Sequence, residues 1–220
     1  MLGIDTSRYS QSGVTNIVVG KERVLFSVHT NLLRQKSEAS RAALSDEWKK
    51  KGSIVSEIVW EDEDPDVVET VIDWIYHDTL PNLTTTKLDF DLCLMCYVFA
   101  ETRMMSGLKN TIIDILRKDY VQHRHIIEPT KVRKAYELGL DNTQMGKFLL
   151  KSTVYKIMGN QIKESRKAWT DQLIEACEDN CFAKDIVKEI IAYRKSAYGA
   201  PYKGEGCFYH DHADGSACER

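Results

Sequence analysis

From Asn16 onward, short apolar runs alternate with turn residues, which is the rhythm of paired strands. Ile17, Val18 and Val19 are contiguous, as expected of a strand covered on both faces. Gly20-Lys21 separates them from the run Glu22–His29, a gap short enough for a hairpin. His29 through Leu33 opens a short helix with Leu32 and Leu33 facing inward, and a polar helical stretch follows over Ser37–Trp48. Ser53–Trp60 is rich in β-branched residues and reads as another strand. The acidic run Glu61–Asp64 before Pro65 suits a helix start, where carboxylates meet the positive end of the helix dipole. From Asp66, Val67, Val68, Val71, Ile72 and Ile75 fall at helical spacing, and the helix ends near Tyr76.

Helical spacing then dominates. Leu92, Met95, Cys96, Phe99 and Ala100 predict a helix over 89–102. Gly107 interrupts it, and Leu108, Ile112, Ile113, Ile115 and Leu116 predict the next. Beyond Tyr120 no strand pattern stands out. Further helices are predicted over 129–139, 143–158, 171–177 and 182–193, the last with a stripe of Phe182, Ile186, Val187, Ile190 and Ile191. The final twenty residues are Gly-rich and polar. The expected class is α+β, a small sheet flanked by helices and followed by an all-helical C-terminal region.

Charge narrows the function classes. The chain carries 30 basic and 33 acidic residues, and neither half is basic, which argues against nucleic-acid binding by general charge. No apolar run approaches the roughly 20 residues of a membrane helix. The opening MLGIDTSRYSQSG lacks the apolar stretch of a secretory signal, so the expected location is cytoplasm and/or nucleus. In such a reducing compartment the six cysteines are expected as thiols or metal ligands rather than disulfides.

Several stretches, in order, resemble the BTB/POZ family. RVLFSVHTNLLRQKS is similar to that family's second strand running into its first helix, with His29 at a usual histidine and Ser37 at a serine that opens the next helix. DPDVVETVIDWIYHDTLP resembles its central helix, ending on Trp74, Ile75 and Tyr76. LCLMCYVFAETRMMSGLKNTIIDIL resembles its closing helical hairpin. One departure is Ser40, where the family usually places an aromatic. The resemblance covers about residues 16–118, and small fungal proteins that join such a domain to a helical half are the nearest likeness. It implies a BTB/POZ-like domain over 16–118, and the residue patterns on either side are read as a flexible arm over 1–15, a helical region over 119–200 and a Cys/His-rich tail over 201–220.

The function so implied is protein binding: a self-associating adaptor, a homodimer in the simplest case. A cullin scaffold of a ubiquitin ligase is one partner the family suggests, although the acid near Leu44-Ser45-Asp46 is Asp where a cullin-contact pattern has Glu. The alternative is a nuclear transcription- or chromatin-associated interaction factor. His29, Trp74 and Tyr76 read more simply as packing residues than as chemistry.

The sharpest chemical signal is GCFYHDHADGSACER, in which Cys207, His210, His212 and Cys218 form C-x2-H-x-H-x5-C. Two thiolates and two imidazoles are a common structural zinc set, and four filled positions would leave none for a reactive water. His210 and His212, at i and i+2 of an extended segment, point the same way. The spacing matches no standard finger, so a bound zinc ion and an unligated tail both stand as readings. A similar Cys…Tyr-His-x-His…Cys ending occurs in fungal proteins of the resembled family. Cys93 and Cys96 form C-x2-C inside an apolar helix and are expected to be buried core thiols. His123 and His125 are expected in a surface linker. Phosphate-cradling loops, nucleophile elbows and the H-E-x-x-H helix are missing, and no catalytic residue or cofactor beyond that zinc is expected.

Overall fold

The computed structural model describes residues 13–45, 57–81, 83, 88–123, 127–159, 166–196, 199–203 and 207–212. Two strands, β1 (Val14–Val19) and β2 (Val24–His29), form an antiparallel hairpin, and β3 (Glu57–Trp60) pairs parallel to β1, giving the order β2-β1-β3. Nine helices are described: α1 (Thr30–Lys36), α2 (Glu38–Ala43), α3 (Pro65–His77), α4 (Phe90–Thr102), α5 (Ser106–His123), α6 (Pro129–Glu137), α7 (Gln144–Met158), α8 (Arg166–Ala176) and α9 (Asn180–Lys195). The class is α+β, as expected. No described helix is long and apolar enough to cross a membrane.

The chain divides into two compact units, one from the described residues of Met1–Thr84 and Met95–Thr111, the other from those of Thr85–Leu94 and Ile112–Arg220. The division runs through α4 and α5, whereas the sequence reading places a boundary at residue 118. Val14 and Thr15, expected in an arm, belong to β1, and the rest of that arm, 1–12, lies outside the described residues.

In the first unit, side chains of β1 alternate. Thr15, Ile17 and Val19 face the core, while Val14, Asn16 and Val18 take the other face. The hairpin loop holds four residues, with Gly20 at φ +68, a left-handed value that glycine adopts without a Cβ penalty. Ser37 ends α1 and caps α2: its hydroxyl accepts from the Ser40 N–H at 3.0 Å and donates to the Arg103 carbonyl at 2.9 Å. Helix α2 ends at Ala43, short of the expected Trp48, and 46–50 lie outside the described residues. Asp64 caps α3 through the Asp66 N–H, with Pro65 at the first helical position. The break between α4 and α5 falls at 103–105, where Met104 has φ +52, and not at Gly107, which lies inside the first turn of α5. Arg103 sits over Phe99 (4.1 Å) and Trp60 (4.6 Å) and pairs with Glu63 at 2.8 Å; burial lowers its pKa against the pull of that carboxylate.

His29 is half-buried rather than fully so. Its backbone N–H donates to the Tyr76 hydroxyl at 3.1 Å, and its Nδ1 lies 2.9 Å from the same oxygen. Cys93 and Cys96 are fully buried, as expected.

In the second unit, α9 packs on α7 and α6 packs on α8. Asp179 caps α9, accepting from the Cys181 and Phe182 N–H groups. The buried stripe of α9 is narrower than its sequence pattern: Phe182 and Ile186 are buried, but Val187 and Ile191 are 57% and 51% exposed. His123 lies in α5 rather than in a linker, and His125 is outside the described residues.

Lys156 is buried with its ammonium 4.1 Å from the Trp169 ring centre, and burial lowers its pKa to about 8 against the opposing pull of Glu128. Burial also raises Tyr120 and Tyr136 far above the usual phenol range, and Tyr209 to about 12. Below pH 8 Lys156 is protonated folded and unfolded, so its contribution is constant. Between about 8 and 10.5 the folded chain has released a proton that the unfolded chain keeps, so stability rises with pH. Above about pH 10 the unfolded tyrosines ionise first, and stability falls. Urea titrations across pH 7–11 should show this rise and fall, and Lys156→Met should lose the rise. An unchanged profile in that variant contradicts the assignment.

Candidate metal centre

The tail beyond Pro201 is packed rather than loose where it is described. Tyr202 stacks on Tyr120 with ring centres 4.2 Å apart, and Tyr209, 8% exposed, meets Phe148 edge-on at 5.3 Å. Between these anchors and His212 the chain makes a tight turn: the His210 N–H donates to the Cys207 carbonyl at 3.0 Å. Such an i to i+3 bond folds residues 207 and 210 together. Phe208, at the corner, is 78% exposed, while Tyr209 points inward.

This turn gathers three of the four predicted ligands. One donor atom each from Cys207, His210 and His212 lies within 4.8 Å of the others, and all three residues are half-buried. The rings of His210 and His212 are 6.2 Å apart. Cys218, the fourth predicted ligand, lies outside the described residues. The sequence reading named all three of these residues but not the turn that brings the Cys207 thiol to the histidines.

The donor set fits zinc. Around a tetrahedral ion with Zn–S of about 2.3 Å and Zn–N of about 2.0–2.1 Å, neighbouring donors stand roughly 3.3–3.6 Å apart. Donors within 4.8 Å of one another lie near that spacing, so the set is compatible with a zinc ion. One thiolate and two imidazoles leave one position for a further ligand. No other group of three or more metal-ligating side chains is found among the described residues.

One partner of the cluster was invisible in the sequence. His210 Nε2 lies 3.0 Å from Oδ1 of Asp114, on α5, 96 residues earlier. The Arg117 guanidinium, one turn along α5, reaches the same oxygen at 3.3 Å. The His210 side chain is 10% exposed, so its ring is held rather than waving in solvent. Asp114 also borders a cavity of about 290 Å³ with Arg117, Lys118, Val121, Gln122 and Tyr202. That is just below the roughly 300–1,000 Å³ typical of sites for organic ligands.

In the first unit the feature that bears on function is a surface. Val18 aligns with Leu25 of β2 on one side and Val59 of β3 on the other, forming one cross-strand row. Leu25 is 60% exposed, Val59 51% and Val14, on the same face, 55%, while Val18 between the first two is buried at 4%. No family model matches the chain, and no curated protein matches it.

Proposed function

We propose that the chain is a protein-interaction module that self-associates through its sheet, with its C-terminal tail held by one structural zinc ion. The observation that carries the first part is the pair of exposed side chains, Leu25 and Val59, that flank the buried Val18 on one sheet face, with exposed Val14 on the same face. Singly exposed apolar residues are ordinary, but several large ones on one sheet face mark a surface that another polypeptide covers. The BTB/POZ resemblance supports the same reading. Its expected order, a hairpin running into a helix, then a central helix and a closing helical hairpin, agrees with β1-β2-α1, α3 and α4-α5. Cys207, His210 and His212 would hold the ion, and Cys218, outside the described residues, is the fourth ligand expected from the sequence; a set so closed would order the tail rather than react.

Light scattering of the full chain at micromolar concentration tests the self-association. The expected mass is about twice 25.2 kDa. A monomer mass that persists to high micromolar concentration contradicts it.

A further inference from the structure

We infer that Asp114 is the outer-sphere partner of the metal centre: it holds His210 by Nε2, so that Nδ1 is the nitrogen turned to the ion and metal binding locks the turn 207–212 onto α5. The inference rests on the zinc reading above. Histidines that bind metals almost always donate their second ring N–H to a carboxylate, carbonyl or water, which fixes the tautomer and makes the ligating nitrogen more basic. Asp114 stands in that relation to His210, with 3.0 Å between Oδ1 and Nε2.

The geometry separates this role from direct ligation. Cys207, His210 and His212 bring their donors within 4.8 Å of one another, and Asp114 is not a member of that set. Its carboxylate is oriented from its own helix by Arg117 at 3.3 Å. The anchor therefore sits on a rigid element while the ligands sit on a short turn. Tyr209, buried against Phe148 between Cys207 and His210, holds that turn in place from the other side.

The experiment measures zinc affinity of the full chain by competition with a chromogenic chelator, alongside metal content by mass spectrometry. Wild type should hold about one zinc per chain, lost in the double variant Cys207→Ser with Cys218→Ser. Asp114→Asn, which keeps the side-chain shape, and Asp114→Ala should still reach one zinc at saturation, with affinity about 10- to 100-fold weaker. Asp114→Glu should recover part of the loss. Co²⁺ loaded in place of zinc should keep its thiolate charge-transfer band in all three, because the ligands are unchanged. Melting of the chelator-treated variants controls for folding, and should match that of chelator-treated wild type. Wild type without zinc would sink the zinc reading itself. Zinc-binding wild type with unchanged affinity in both Asp114→Asn and Asp114→Ala would overturn the role of Asp114 alone. So would affinity lost only in step with metal-free stability, which would make Asp114 an ordinary docking contact.

Discussion

Trp74→Ala is expected to lower the unfolding free energy of the first unit by about 3–5 kcal/mol, the range for removing a buried Trp or Phe. The indole is 3% exposed and its Nε1–H donates to the Thr111 hydroxyl at 3.1 Å. The Lys36 ammonium lies 5.0 Å above the ring, and Gly107 lies so close that a Cβ there would meet ring carbons at 3.0 and 3.2 Å. A ring enclosed on so many sides leaves a cavity that its surroundings cannot readily fill. Trp74→Phe keeps most of the apolar volume and loses the hydrogen bond, so it should cost much less. Urea unfolding monitored by circular dichroism measures both. Equal, small effects would mean that the indole packs loosely.

The second large effect is expected at Gly146, in the first turn of α7. A Cβ built there would lie 2.2 Å from the Leu140 carbonyl oxygen and 2.7 Å from that of Asp141. Backbone, not a flexible side chain, is in the way. The Thr143 hydroxyl holds the same corner, donating to the Leu140 carbonyl at 2.6 Å and accepting from the Gly146 N–H at 3.2 Å. Overpacking usually costs about 1–3 kcal/mol, and a clash this deep with fixed backbone belongs at or above the top of that range. Gly139→Ala is the control. Its φ is +74 with open space around it, so only left-handed strain applies, about 1–2 kcal/mol. Thermal melts of the two variants should rank Gly146→Ala well below Gly139→Ala, and the reverse order would contradict the geometry.

What the sequence disclosed followed from how local each signal is. The run Ile17-Val18-Val19 is contiguous because β1 is the central strand, so the strand could be read from its own residues. Ser37 was set at a helix opening by the resemblance alone, and the structure supplies the local reason: its hydroxyl accepts from the Ser40 N–H three residues ahead. The break between α4 and α5 was misplaced because glycine is the usual punctuation, whereas here Met104 takes the left-handed turn. The stripe of α9 overstated its core because periodicity cannot say how much of a helix face its neighbours cover. At the tail, residue type and spacing were enough to pick out Cys207, His210 and His212. Asp114 was not legible, since nothing in an acidic residue on an amphipathic helix announces a histidine 96 positions away.

The central claim is that the exposed sheet face of the first unit is where other polypeptides are gripped. It is tested most directly by light scattering of the double variant Leu25→Asp with Val59→Asp beside wild type at matched micromolar concentration. Both side chains are more than half exposed, so the substitutions should leave the melting temperature nearly unchanged. The account predicts wild type at about twice 25.2 kDa and the variant at the single-chain mass. A folded variant that assembles as wild type does would contradict it.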